Sequence, residues 1–248
     1  MFKASAFEYR FRFIVHLLLF VLGFSAPWDY AWQLDPSGPN AHAWGVLAAR
    51  LSETQWCSIV AAFNGLLVLG ILFAALGAFL RTWGAAYLSY KVVQSEAMHG
   101  NAVIADGPYR FMRNPLYLGT FLHTLALTLL MPPSGAIFCI VTIGLLQLRL
   151  ILAEEPFLAA KLGQPYLDYC ERVPRILPAL TPRVPAGGMR PHWLQAMLGE
   201  IYVICVAAAF AVLGWRYNQL LLICCVLISL GVSLVVRALL PRGTAQTA

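Results

Sequence analysis

Charge is what this 248-residue sequence has least of. Asp, Glu, Lys and Arg together make up 11% of it, where a soluble domain carries about a quarter. A water-facing surface cannot be built from so few ionisable groups, and 60% hydrophobic residues exclude a disordered chain. No CxxC pair occurs. No histidine stands at metal-ligand spacing from Cys57, Cys139, Cys170, Cys205, Cys224 or Cys225, so no metal is expected. All but Cys170 fall in apolar stretches and read as small buried hydrophobes. There is no internal repeat, no GxGxxG following a strand, and no basic stripe interleaved with aromatics. A soluble dinucleotide-binding enzyme and a nucleic-acid surface are therefore excluded.

What the chain does have is long apolar runs. A helix needs about 20 largely apolar residues to cross roughly 30 Å of hydrocarbon. Six candidates stand out: Phe13–Trp32, Trp56–Leu80, Leu116–Met131, Gly135–Ala153, Met197–Trp215 and Leu220–Leu240. The first resembles a secretory leader, with Lys3, Arg10 and Arg12 ahead of it. Bulky Phe24 spoils the small-x-small site before Ala26, so a retained helix is expected. Pro132-Pro133 breaks the third and fourth runs into an antiparallel hairpin. The expected fold is an all-α polytopic membrane bundle of about six transmembrane helices, with cytoplasmic cofactor-binding connections.

The net charge of +6 reports orientation rather than a polyanionic partner. Lys3, Arg10 and Arg12, then Arg81, Lys91, Arg110 and Arg113, then Lys161, Arg172, Arg175, Arg183 and Arg190, then Arg237 and Arg242 all collect on one side. Only Arg50 and Arg216 fall on the other. By the positive-inside rule both termini face the cytoplasm. The two long cytoplasmic connections, 81–115 and 154–196, hold most of the polar chemistry. In the second, Pro156 reads as near a helix start, Gly163 as a stop, and 174–191 as an extended Pro/Gly linker.

Asp106-Gly107-Pro108-Tyr109-Arg110-Phe111-Met112-Arg113-Asn114-Pro115-Leu116-Tyr117 turns at Gly107-Pro108 and enters a helix at Pro115. Arg110, Arg113, Asn114, Tyr109 and Tyr117 thus gather at a helix N-terminus, a place suited to a carboxylate or phosphate. Two arginines and two tyrosines there also make an ordinary interfacial anchor. Glu154-Glu155 closes the fourth run. The doublet can start a helix, or it can bind a cation or an amino or hydroxyl donor. The hairpin brings the start of its first helix beside the end of its second, so both constellations should share one pocket open sideways to lipid.

Gly107-Pro108-Tyr109, Arg113-Asn114-Pro115, Tyr117 and Gly119 resemble the GPYxxxRHPxYxG signature of the isoprenylcysteine carboxyl methyltransferase and phospholipid methyltransferase family. Glu154-Glu155, Leu162-Gly163, Tyr166, Tyr169 and Val173-Pro174-Arg175 resemble its C-terminal pattern, and Val92-Val93-Gln94-Ser95-Glu96 its upstream VVQxE segment. The resemblance covers about 91–178. It implies a membrane-embedded methyltransferase using S-adenosylmethionine and a lipophilic acceptor, with an isoprenylcysteine-like carboxylate or a lipid amine taking the methyl group. It places the cofactor on Gln94, Asn101, Ala102, Val103, Ile104, Tyr109, Asn114, Pro115, Tyr117 and Glu154, with Arg113 in the same signature. Two positions depart from the pattern. Asn114 replaces the usual His and cannot titrate near neutral pH. Leu150 stands where the prenylcysteine enzymes carry a substrate-associated Arg, leaving Arg149 beside it as the substrate candidate.

An ionised carboxylate acceptor needs no base, whereas an ammonium must first lose a proton. Glu155, Glu96 and His99 are the candidate bases. His123 could face the pocket but is expected as a core histidine, like His16; His42 and His192 show no partner. The chain divides into N-terminal helices (1–90), a methyltransferase core (91–178), a linker (179–195) and a C-terminal helix pair (196–248). The competing readings are an NADPH-dependent membrane reductase of the sterol reductase type and a non-catalytic transporter or scaffold. Against a transporter, no polar cluster at mid-membrane and no repeated halves are visible.

Overall fold

The structure is a computed structural model that describes residues 3–25, 41–88 and 105–239. Among these there is no strand, and the fold is all-α. The helices are α1 (Ala6–Arg10), α2 (Arg12–Ser25), α3 (Ala43–Glu53), α4 (Ile59–Tyr87), α5 (Pro115–Thr128), α6 (Pro133–Leu162), α7 (Gln164–Arg172), α8 (Trp193–Gly199), α9 (Ile201–Leu213) and α10 (Gln219–Leu239). A 3-10 turn over Gly107–Arg110 precedes α5.

The expectation of six spans is corrected. Each of the six apolar runs contains helix, but among the described residues only α4, α6 and α10 are long and apolar enough to cross a bilayer. A fourth crossing exists if α8 and α9, bent by 73° at Glu200, count as one. α2 and α5 have 14 residues each, about 21 Å at 1.5 Å per residue. Over its described residues α2 is apolar but short, whereas α5 is both short and less apolar. The described part of the first run ends at Ser25, so its expected continuation to Trp32 lies outside the described residues.

Packing relies on close approach of backbones, because lipid supplies no hydrophobic drive between helices. α4 and α5 cross at Gly77 and Gly119: a Cβ on Gly77 would come within 2.7 Å of the Gly119 carbonyl oxygen. α2 docks on α6 the same way, where a Cβ on Gly135 would sit 1.9 Å from the Gly23 oxygen. The core between them holds Leu67, Leu127, Leu130, Met131, Ile143 and Phe210.

Three boundaries differ from the sequence expectation. α4 runs on to Tyr87, so Arg81 is a helix residue and not part of a connection. α6 passes straight through Glu154-Glu155-Pro156 to Leu162. Neither the doublet nor Pro156 starts a helix; Pro156 is exposed, where its missing N–H leaves only one intrahelical bond unmade. Gly163, at φ 66°, does end it. α3 was not expected at all. It stoppers the far end of the hairpin, where the Ala43 and Trp44 amides donate to the Met131 and Leu129 carbonyls at 2.7 and 3.0 Å. The His42 ring donates to Leu130 at 2.8 Å, so this histidine does have a partner. A carbonyl left bare in hydrocarbon costs several kcal/mol, and these three bonds prevent that.

Candidate functional site

The hairpin brings its two constellations into direct contact. The Tyr117 hydroxyl donates to Glu154 Oε2 at 2.9 Å, and Asn114 Nδ2 donates to Glu155 Oε1 at 3.3 Å. Asn114 does not cap α5 with its side chain; its amide also donates to the Arg175 carbonyl at 3.0 Å. The first turn of α5 therefore keeps amides with no side-chain partner, next to a carboxylate.

The two glutamates have different surroundings. Glu155 is buried and gripped from both sides, with Arg175 Nε at 2.9 Å from Oε2 and Arg113 Nε at 3.5 Å from Oε1. Two guanidiniums and an amide thus occupy its oxygens. Glu154 is half-buried and faces the other way, toward Tyr117 and the N-terminal helices. There Tyr9 packs with Leu146 and Leu150, and the Arg12 guanidinium stacks over the Tyr9 and Phe13 rings at 4.5 and 4.7 Å. Arg12 and Tyr9 went unnoticed as site neighbours because only tertiary contact brings α1 and α2 to α6.

Gly107 opens the motif turn with φ 57°, under the Tyr87 ring, which leaves no room for a Cβ. Buried Tyr109 follows; its carbonyl accepts the Tyr169 hydroxyl at 2.8 Å and its own hydroxyl reaches the Gly84 carbonyl at 3.5 Å. Burial pushes both phenols well above the usual tyrosine value, so each serves as a neutral donor. Arg110 does not wait for an anion: its Nε donates to the Val184 carbonyl at 3.0 Å.

The 174–192 segment, expected as an extended linker over 174–191, has neither helix nor strand and bends at several positions. It is laced along the motif. Arg113 N donates to the Pro174 carbonyl, Ala179 N to Phe111 and Arg183 N to Arg110. Both Asp106 oxygens accept strap amides, from Gly187 at 2.7 Å and Met189 at 2.9 Å. His192 N donates to the Ala86 carbonyl at 2.7 Å.

Other candidates fall elsewhere. Arg149 pairs with Glu8 at 2.8 Å, while Leu150 is fully buried. His123 lies across α5 from Tyr117, in a T-shaped contact with Tyr202 at 5.2 Å. It is buried, but not satisfied: neither ring nitrogen has a hydrogen-bond partner among the described residues. His16 bonds the Arg12 carbonyl at 2.6 Å. Gln94, Glu96, His99, Asn101, Ala102, Val103 and Ile104 lie outside the described residues. Among the described residues no group of three or more His, Cys, Asp or Glu could hold a metal.

Glu8 also closes a capping box with Ser5 at the start of α1. The Arg149 hydrogen bond, helped by the Ser5 amide, holds its carboxyl down at about 2 from 4.5. A depressed folded value means the tether is complete above about pH 4.5 and is lost as pH falls toward 2. Pepsin digestion in detergent should accordingly cut near Phe7–Phe11 far faster at about pH 2.5 than at about pH 4.5. Glu8→Gln, which keeps the cap and loses the charge, should be cut readily at both; equal protection of the native protein at both would contradict the assignment.

Residues 66–165, which include α5, α6 and most of α4, match the phospholipid methyltransferase family model. The family resemblance read from the motif stands. The chain is also 30% identical over 118 residues to the cobalt-zinc-cadmium resistance protein CzcN of Cupriavidus metallidurans, covering 47% of this chain and 50% of that protein. It thus spans about half the length of this curated relative. No solved structure matches. The match ends before Tyr166, so most of α7, the strap and α8–α10 stand outside the matched region.

Proposed function

We propose that the protein is an integral membrane methyltransferase that moves a methyl group from S-adenosylmethionine to a lipophilic acceptor. The observation that carries this reading is the contact of Tyr117 with Glu154, and of Asn114 with Glu155, at one end of the hairpin inside the matched segment. The donor set fits the cofactor. Glu154 offers acceptors to hydroxyl or ammonium groups, and the first-turn amides of α5 suit a carboxylate. When bound, the cofactor supplies an electrophilic methyl group on a sulfonium.

The chain's own task is then alignment and exclusion of water. Glu154 and Tyr117 orient the cofactor, with Asn114, Pro115 and Tyr109 shaping the turn beneath. Gln94 and 101–104 belong to the same proposed surface. Glu155 is assigned to fix Arg113 and Arg175, and with them the strap; an acceptor that arrives as a carboxylate needs no base from it. Arg149 remains the candidate for substrate only if its Glu8 partner yields. The cluster of cations on the Glu154 side supports a cytoplasmic site and cytoplasmic termini.

Membranes carrying the protein should transfer label from methyl-labelled S-adenosylmethionine into the lipid-extractable or the protein fraction, and the fraction identifies the acceptor class. Binding of NADPH without binding of S-adenosylmethionine would reject the reading in favour of a reductase.

A further inference from the structure

The strap binds the motif along one side only; its other side is bare and apolar. Leu180 is 99% exposed and Leu177 76%. α8 continues the same character with Leu194 at 75% and with exposed Trp193 and Met197. Between residues 172 and 199 the charged residues are Arg172, Arg175, Arg183 and Arg190, with no Asp or Glu. Arg175 is taken by Glu155; Arg172, Arg183 and Arg190 are exposed.

The position of this surface relative to the bilayer follows from a ladder of rings. Phe79, exposed on the membrane-crossing α4, meets Trp83 at 5.3 Å, and Trp83 meets Phe111 at 5.9 Å. The Phe111 carbonyl in turn accepts the Ala179 amide, next to Leu180. The bare leucines therefore begin where the lipid-facing side of α4 ends, with a Trp at the junction, as at a membrane interface. Apolar side chains with an excess of cations, Glu171 being the exposed acid beside Arg172, match one surface: anionic headgroups above acyl chains.

We infer that the strap and α8 form a docking surface for anionic phospholipid, seated in the headgroup layer on the Glu154 side. Leu177, Leu180, Trp193, Leu194 and Met197 reach the acyl boundary, and Arg172, Arg183 and Arg190 meet the phosphates. The inference is independent of the proposed methyl transfer.

The test places the photoreactive residue benzoylphenylalanine at position 180 of the full chain, in nanodiscs of phosphatidylcholine and phosphatidylglycerol in equal parts. The same residue at Leu76, on the lipid face of α4, is the control. Irradiation should give lipid adducts at both positions by intact mass. At 180 the anionic lipid should exceed the neutral one by about threefold or more, and R183E/R190E should abolish that excess without removing the adduct at Leu76. A lipid adduct at 76 but none at 180 overturns the docking surface. An adduct at 180 with no anionic excess overturns the role of the arginines, and crosslinking to a polypeptide instead overturns the lipid as occupant.

Discussion

Glu200→Ala should lower the apparent melting temperature in detergent by on the order of 10 °C, more than any other single substitution considered for this chain. Glu200 is buried at the sharp bend between α8 and α9, where its two oxygens take Arg81 Nε at 2.6 Å and Nη2 at 2.8 Å. Arg81 also donates to the Thr120 hydroxyl of α5. Removing the carboxylate leaves a guanidinium stranded in a low-dielectric interior, a loss of about 3–5 kcal/mol. Desolvating the pair is itself expensive, so its net worth is far smaller than that loss. R81M/E200L should consequently recover most of the stability, since an apolar pair of similar volume is often neutral or better. Melting curves of the single and double variants check this. A double variant no more stable than Glu200→Ala would show that the pair itself holds the bend.

The second large effect concerns cofactor affinity. Glu154→Gln and Tyr117→Phe should each weaken S-adenosylmethionine binding about 10- to 100-fold, the value of one hydrogen bond to a charged group. The two changes act on one contact of 2.9 Å, so the double variant should lose little more than either single one. Calorimetry on the detergent-purified variants measures this directly. Additive losses would mean that the two side chains reach the cofactor separately, and unchanged affinity in both would remove this contact from the site.

The meeting of the two polar constellations was more legible in the sequence than the fold around them. Asn114-Pro115 and Glu154-Glu155 could be paired in advance because Pro132-Pro133 reverses the chain midway between them, and an antiparallel hairpin has only one way to align its ends. Spacing carried that inference. Tertiary contacts did not announce themselves. Pro156 looked like a helix start because an interior proline normally breaks a helix, yet at the exposed end of α6 the missing bond is tolerated. The 174–192 strap looked like a spacer because proline and glycine report backbone preference, not the carbonyls and the Asp106 carboxylate that bind it. Arg81 looked like one more cation in a connection because its partner lies 119 residues away. α3 escaped because it buries only Ala43, Trp44 and Ala48, and its role, satisfying another helix's carbonyls, is a tertiary contact.

The shortness of α5 has a thermodynamic consequence for any amphiphile that reaches the Asn114 turn. At about 21 Å it falls roughly 9 Å short of the hydrocarbon thickness, and its far end is closed off by α3. The shortfall is taken up at that capped end, and the Asn114 turn stays level with the strap bonded to it. A tailed molecule can present its polar end there without being pulled out of the leaflet, and each methylene left in place avoids about 0.8 kcal/mol of exposure to water. A turn at headgroup level thus favours long-tailed molecules over their water-soluble headgroup analogues before any side chain has made a contact.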